Sequence, residues 1–371
     1  MSGGSASLYA GLTPDTCHFV MQHPETLIMS MTAPYTCLLV LLLSSTAPSF
    51  PGTASSSGNE KKIAPIFIRA FSSAEDVKGI SHPLLNKTID IIAGPKEPSE
   101  RPASVLQQPY AVTTDLNRRI FVTDVPAGLV HVFDFGKHEY RVLGAGNHLR
   151  APLGIASDRE GNIYVSDIVL RTVFMYDSTG KFIRYLKKPR GDESYFDGPR
   201  GIAVDSATGR IYVCDTPRHM VIVLDKKGHV IASLGKRGGG TGPGEFKRPT
   251  QVVANAGELL VLDSGNSRLQ FLNQQGHFLK EIQLANVGRS AGLAEDGAGN
   301  IYLTDPELNN FQAFSPDGQR LYLFGETGTG AGQFNGLSGA WVDSGHCLYL
   351  VDTNNQRVQL FQIAEPGAGG C

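Results

Sequence analysis

Tryptophan is nearly missing from these 371 residues, with Trp341 the single example. Cysteine is sparse and scattered. Cys17, Cys37, Cys214, Cys347 and Cys371 form no Cys-x-x-C pair and no pairing pattern, so no disulfide framework is expected and the compartment stays open on that ground. Neither sign of charge dominates. Thirty-three basic against 35 acidic residues leave a net charge of −2, which supplies no global field for nucleic acid or an anionic membrane. Long apolar runs are lacking too. The only targeting candidate, Cys37 to Leu43, holds seven apolar residues, too few to span a bilayer, so no transmembrane segment is expected.

That run, followed by the small-residue stretch from Ser44 to Ser57, matches the short end of a signal-peptide core. Two features are unlike a standard signal: no Lys or Arg precedes Lys61, and the run begins after 36 residues. Initiation at Met29 or Met31 would repair only the second. Cys37 precedes the run and so does not fit a lipid-modified cysteine. The expectation is export to the periplasm or the exterior; a cytoplasmic location follows if 37–43 is not a signal.

What the chain does contain is a ladder. Ile120–Asp124, Ile163–Asp167, Ile211–Asp215, Leu259–Asp263, Ile301–Asp305 and Leu348–Asp352 are six versions of one phrase, four mostly apolar residues and an aspartate, with the aspartates 43, 48, 48, 42 and 47 residues apart. A near-constant period in the 40s marks one supersecondary unit stacked repeatedly, because a single unit cannot bury its own apolar faces. Ten residues after each aspartate stand Asp134, Asp177, Asp225, Asn273, Ser315 and Gln362, and in repeats two to five a glycine follows three later: Gly180, Gly228, Gly276 and Gly318. Such turns between apolar runs are hairpin signals. The strands are apolar on both sides, as in Val221 to Leu224, so each sheet is expected between two others. Radial propeller blades supply that environment.

The predicted fold is therefore all-β, a six-bladed β-propeller of four-stranded antiparallel blades. Residues 1–60 form a signal-like or disordered region, 61–87 a linker lying on the propeller, 88–363 the propeller and 364–371 a tail. The sixth repeat ends at Phe361-Gln362-Ile363 with three strands only. Residues 88–94, with the run Ile89–Gly94, are predicted to complete that blade and cover its open edge.

The repeat resembles the NHL repeat, through Gly201-Ile202-Ala203-Val204-Asp205, the Ile-Tyr-Val-x-Asp phrases, Arg357-Val358-Gln359-Leu360-Phe361, and the links Gly242–Pro249 and Gly330–Phe334. The likeness covers 88–363 and extends to exported bacterial NHL-type propellers. It implies protein or RNA binding on one face; a minority of related six-bladed propellers are metal-dependent lyases or hydrolases. A WD40 reading fails for want of Trp-Asp pairs.

Aligned inner strands place Tyr110, Leu153, Arg200, Thr250, Ala291 and Ser338 around one channel mouth, the concave place to seek a ligand. That ring offers no His, carboxylate or Cys, so no catalytic residue, metal or cofactor is predicted there. The histidines at 131, 138, 148, 219, 229, 277 and 346 fall at unrelated offsets. The six phrase aspartates suit a loop-capping role better than a carboxylate ring. Gly288-Arg289-Ser290-Ala291-Gly292 matches a nucleophile elbow in letters but links two strands, whereas the elbow needs a strand-to-helix turn. On the mouth face Lys187, Lys188, Arg190, Arg200, Arg218, Lys236, Arg237, Lys247 and Arg248 form a basic lean, diluted by acidic neighbours. The leading functional expectation is a non-enzymatic binding scaffold for a protein or small ligand. A metal-centred lyase or hydrolase is second, and RNA binding third, since the face lacks stacking aromatics. The oligomeric state is left open.

Overall fold

The computed structural model describes residues 19–23, 26–29, 65–78, 104–146, 149–186, 195–255, 257–284, 290–363 and 371. The chain divides into two units, Met1–Asn59 and Glu60–Cys371. In the first, β1 (Phe19–His23) pairs antiparallel with β2 (Thr26–Met29), a hairpin that no period in the sequence announced. The run 37–43 lies outside the described residues. Among those described, no helix is long and apolar enough to cross a membrane.

The second unit is a six-bladed propeller. After β3 (Ile66–Phe71) and α1 (Ala74–Lys78) comes blade 1, made of β4 (Pro109–Thr114), β5 (Ile120–Asp124), β6 (Leu129–Asp134) and β7 (Glu139–Leu143). Blade 2 comprises β8 (Pro152–Ser157), β9 (Ile163–Asp167), β10 (Thr172–Tyr176) and β11 (Phe182–Leu186). Blade 3 comprises β12 (Pro199–Val204), β13 (Ile211–Asp215), β14 (Met220–Leu224) and β15 (Val230–Gly235). Blade 4 comprises β16 (Pro249–Asn255), β17 (Glu258–Asp263), β18 (Arg268–Asn273) and β19 (Phe278–Gln283). Blade 5 comprises β20 (Leu293–Glu295), β21 (Ile301–Asp305), β22 (Asn310–Phe314) and β23 (Arg320–Phe324). A two-residue parallel pair, β24 (Glu326–Thr327) with β25 (Gln333–Phe334), precedes blade 6. That blade is β26 (Leu337–Val342), β27 (Cys347–Asp352) and β28 (Arg357–Gln362), with β3 as its outer strand.

Six apolar clusters fill the six gaps between neighbouring blades. Alternation along each phrase divides its side chains between two gaps. Ile120 and Val122 pack toward blade 6, and Phe121 packs toward blade 2. A strand apolar on both faces is what this radial stacking demands. The turn glycines serve the same packing. Gly228 has φ +82°, and a Cβ there would lie 2.6 Å from Leu186 of the preceding blade.

The closing strand differs from the expected one. β3, not residues 88–94, pairs antiparallel with β28, matching Val358 with Phe71 and Gln362 with Ile66. Residues 88–94 lie outside the described residues. The segment 61–87, expected to be a linker, thus supplies a blade strand. Phe71 decides the choice: it is buried, with its ring 4.9 Å from Phe133 and 5.3 Å from Phe135 of blade 1. Helix α1 follows directly and contacts β7, and Asp76 caps its start by accepting from the Ser72 and Ser73 amides at 2.7 and 2.8 Å. One segment therefore completes blade 6 and laps onto blade 1.

The expectation of no disulfide is also corrected. Cys347, in β27, is bonded to Cys371, with their Cα atoms 5.6 Å apart. Spacing gave no sign of it, because the pair lies 24 residues apart and only the fold brings the tail back. Cys214 is free and fully buried, and burial raises its thiol pKa well above the usual value.

Candidate functional site

The phrase aspartates are buried and committed to the backbone. Asp167 accepts from the amides of Arg150 (2.6 Å), Ala151 (3.0 Å), Val169 (3.0 Å) and Leu170 (2.9 Å). It therefore joins the link before the first strand to the loop after the second. Asp124 holds Gln107 and Gln108, Asp215 holds Asp197 and Gly198, and Asp352 holds Asn335 in the same way. Burial raises the Asp215 pKa, opposed by those two amides and by Arg218. A carboxylate whose lone pairs are filled by amides is a structural post.

Tyr110, Leu153, Arg200, Thr250, Ala291 and Ser338 do come together as a ring at the link end of the channel. Their main chains carry an inter-blade cinch. Thr123 Oγ1 donates to Leu153 O (3.0 Å), Ser166 Oγ to Arg200 O (2.5 Å), Gln251 Nε2 to Ala291 O (3.0 Å) and Ser338 Oγ to Tyr110 O (2.9 Å). Thr304 Oγ1 donates to Ser338 O, and Thr216 Oγ1 to Pro249 O beside Thr250. Inner strands approach so closely here that a Cβ on Gly154 would lie 2.1 Å from Arg200 O. Neighbouring inner strands meet backbone to backbone at this end.

The open volume lies past this ring. A cavity of about 430 Å³ begins at Ala111, Gly154, Gln251, Gly292 and Gly339 and runs out to the turns between first and second strands. Its walls are mostly apolar, among them Val204, Val253, Ala254 and Val342. Strand register aligns Thr114, Ser157, Val204, Ala254, Glu295 and Val342 as one layer around it. The layer beneath aligns Thr113, Ala156, Ala203, Val253, Ala294 and Trp341. Two side chains depart from those patterns: a carboxylate at 295 and an indole at 341. Trp341 Nε1 donates to Thr114 Oγ1 at 2.8 Å, which pins a half-buried ring at the cavity wall. Burial raises the Glu295 pKa; a hydrogen bond with Asn255 opposes this, and Asp296 and Glu258 add to it.

Other acids at the cavity mouth are engaged in their turns. Asp158 accepts from the Asn162 amide (2.8 Å) and from Tyr164 Oη (2.9 Å), and Asp296 and Asp343 repeat the motif with Tyr302 and Tyr349, both at 3.0 Å. Burial, reinforced by these carboxylates, pushes all three tyrosine hydroxyls above their usual pKa. The sequence carries the signal as an Asp six residues before the phrase Tyr.

Of the basic lean, Lys187, Lys188 and Arg190 lie outside the described residues. Arg218 is bound to Asp197 at 2.8 Å and lies 3.4 Å from Asp215, and Lys236 meets Glu245 at 3.2 Å. Arg237, Lys247 and Arg248 are exposed, and Arg200 is half-buried. Among the described residues, no group of three or more His, Cys, Asp or Glu is placed to hold a metal ion.

A family described as a 6-bladed beta-propeller, DUF5128, matches residues 202–297. Solved structures share the architecture. A streptogramin B lyase is 14% identical with a TM-score of 0.50, over 70% of this chain and 84% of the other. A gluconolactonase from Xanthomonas campestris is 14% identical with a TM-score of 0.55, over 69% and 86%. A protein of unknown function from Bacteroides thetaiotaomicron is 13% identical, also at 0.55, over 70% of each chain. No curated protein matches the chain in sequence. At these identities the likeness establishes the fold and leaves function to the site.

Proposed function

We propose that the protein is a non-enzymatic binding propeller, exported from the cytoplasm, that holds a small ligand in its central cavity. The observation that carries this reading is an open, mostly apolar chamber of about 430 Å³ lined by the inner strands of all six blades. That volume falls in the range of small-molecule sites, where apolar walls and a few polar groups are usual. Asp158, Asp296 and Asp343 at the cavity are occupied in their turns, which favours binding over chemistry. The likeness to NHL repeats fits the same reading, since those propellers act by holding partners. Export is supported by the Cys347–Cys371 bond, a linkage that persists in oxidising compartments. Arg237, Lys247 and Arg248 are kept as a secondary contact for an acidic partner.

Ligand-induced thermal stabilisation tests the reading. Compounds that raise the melting temperature should lose that effect when Ala254→Phe fills the cavity, and keep it when Arg237→Glu reverses charge on the other face. Loss with Arg237→Glu and retention with Ala254→Phe would move the site to the basic surface.

A further inference from the structure

We propose that the occupant of the central cavity is a neutral, mostly apolar molecule with one hydrogen-bond donor, a hydroxyl or an amide N–H, and that Gln251 Oε1 is the acceptor that orients it. This rests on the cavity being a binding site, as argued above.

Register sets Ala111, Gly154, Gly201, Gln251, Gly292 and Gly339 at one level of the six inner strands, and only Gln251 has a side chain longer than a methyl. Its Nε2 donates to Ala291 O of blade 5 at 3.0 Å. Its Oε1 lies 2.6 Å from where a Cβ on Gly201 of blade 3 would stand. An amide that touches the inner strands of both neighbouring blades lies on the channel side of β16, and Gln251 is a half-buried residue of the cavity lining. Ala291 O can only accept, so the nitrogen must face it and the oxygen is fixed on the opposite side. No described residue donates to that oxygen. The nitrogen has a structural task. In blades 1, 2 and 5 the hydroxyls of Thr123, Ser166 and Thr304 donate to the next blade's carbonyl; blade 4 has Leu262 there, and Gln251 takes over. That task does not call for the oxygen. A hydroxyl at 262 would perform it without an acceptor in the channel, and blade 3, with Cys214 and Gly201 at the matching places, carries neither group.

The rest of the chamber disfavours a charged occupant. Ala156, Ala203, Val253, Ala254 and Val342 wall it. Glu295 turns away from the channel, toward Asn255 and Gly299 between blades 4 and 5. Asp158, Asp296 and Asp343 are held by their tyrosines, and Asp115 by Arg119 at 2.7 Å. Arg118 and Arg159 stand exposed at the rim. An ion drawn inside would lose hydration without meeting a counter-charge. A neutral apolar molecule loses little, and its single donor meets Oε1. A molecule of the same shape without a donor strips water from Oε1 and leaves it unpaired, at a cost of about 1–3 kcal/mol. Gln251 thereby sets both the pose and the selectivity.

The experiment measures thermal shifts and titration calorimetry on the full chain against one phenylalkyl body ending in a hydroxyl, an amide, a methyl ether, an amine or a carboxylate. The alcohol and the amide should bind more tightly than the ether by roughly fivefold to a hundredfold. Gln251→Leu should erase that difference and leave the ether bound at least as well. The double variant Gln251→Gly with Leu262→Thr copies Gly292 and Thr304 of blade 5, so it keeps the bond between blades while removing the acceptor, and it should erase the difference too. A preference for the alcohol and amide that survives in both variants would overturn the role of Gln251. Equal binding of alcohol, amide and ether to the native protein, or tightest binding of the amine or carboxylate, with affinity lost in Ala254→Phe, would overturn the neutral donor and leave the cavity reading standing. Binding unaffected by Ala254→Phe would overturn both, as would no binding in any class.

Discussion

His131 Nε2 lies 3.3 Å from Asp124 Oδ2, and both side chains are completely buried. The contact is not aligned as a hydrogen bond. On its other side His131 Nδ1 meets Tyr140 Oη at 2.7 Å. Blades 4 and 6 put glutamine in the equivalent position. Gln270 and Gln359 each donate to the phrase aspartate at 3.2 Å and to a link carbonyl at 2.7 Å. His131 therefore reads as a variant of a structural bracket. We expect His131→Gln to change unfolding free energy by less than about 1 kcal/mol, and His131→Leu to lower it by about 1–3 kcal/mol by removing the Tyr140 hydrogen bond and the polar neighbour of buried Asp124. Urea midpoints measure both. Equal losses would contradict the equivalence with glutamine.

Closure by β3 makes Phe71 a keystone out of proportion to its distance from the cavity. Phe71→Ala removes a ring packed between Phe133 and Phe135 and should cost about 3–5 kcal/mol. Truncation through Lys78 should do worse, exposing the edge of β28 and favouring aggregation. A truncated chain with an unchanged melting temperature would show that β3 does not seal the ring.

The tail bond should matter through the unfolded chain. Cys371→Ser opens a loop of 24 residues, for which chain entropy gives about 3 kcal/mol. Native protein should melt lower with reductant present, and the variant should be indifferent to it. Identical melting curves for native protein with and without reductant would count against the bond.

Glu295 gives a pH dependence with a definite sign. Burial raises its folded pKa, so the folded state takes up the proton more readily than the unfolded chain. Its contribution to stability is fully present below the unfolded value of about 4.3 and is lost as pH rises through the folded value. Glu295→Gln mimics the protonated form. The variant should match the native protein at low pH and melt higher at neutral pH without ligand. The reverse order at neutral pH would mean that the carboxylate already has a cation within the protein.

The cinch predicts a steep local penalty. Gly154→Ala drives a methyl to 2.1 Å from Arg200 O and 3.0 Å from Ser166 Oγ, and should cost about 1–3 kcal/mol. Blade 1 already carries Ala111 at the matching place, so Ala111→Gly should change stability far less. Chemical denaturation of the two variants decides the comparison.

The ring of Tyr110, Leu153, Arg200, Thr250 and Ser338 was legible because inner strands align by counting back from each phrase. Where the chamber lies along the channel was not, because that depends on how the six inner strands approach one another across the gaps. Glu295 and Trp341 were visible in principle as the two departures from aligned layers. They stood out only once the strand register was known, since the turn between first and second strands differs in length from blade to blade, as the pairs Ser157–Ile163, Val204–Ile211 and Ala254–Leu259 show. The tyrosine-capped aspartates were spaced regularly enough to be found, yet their role needed the Tyr164–Asp158 contact to be seen.

The sequence by itself determined the number of blades, the order of strands within each and the turns between them. These follow from local chemistry: apolar phrases set strands, and Asx and glycine at fixed offsets set hairpins. Tertiary structure alone decided which N-terminal run closes the ring, which cysteines meet and where the channel opens. Those outcomes rest on contacts between residues far apart in the chain, where several similar segments compete and only shape, as with Phe71 between Phe133 and Phe135, selects one.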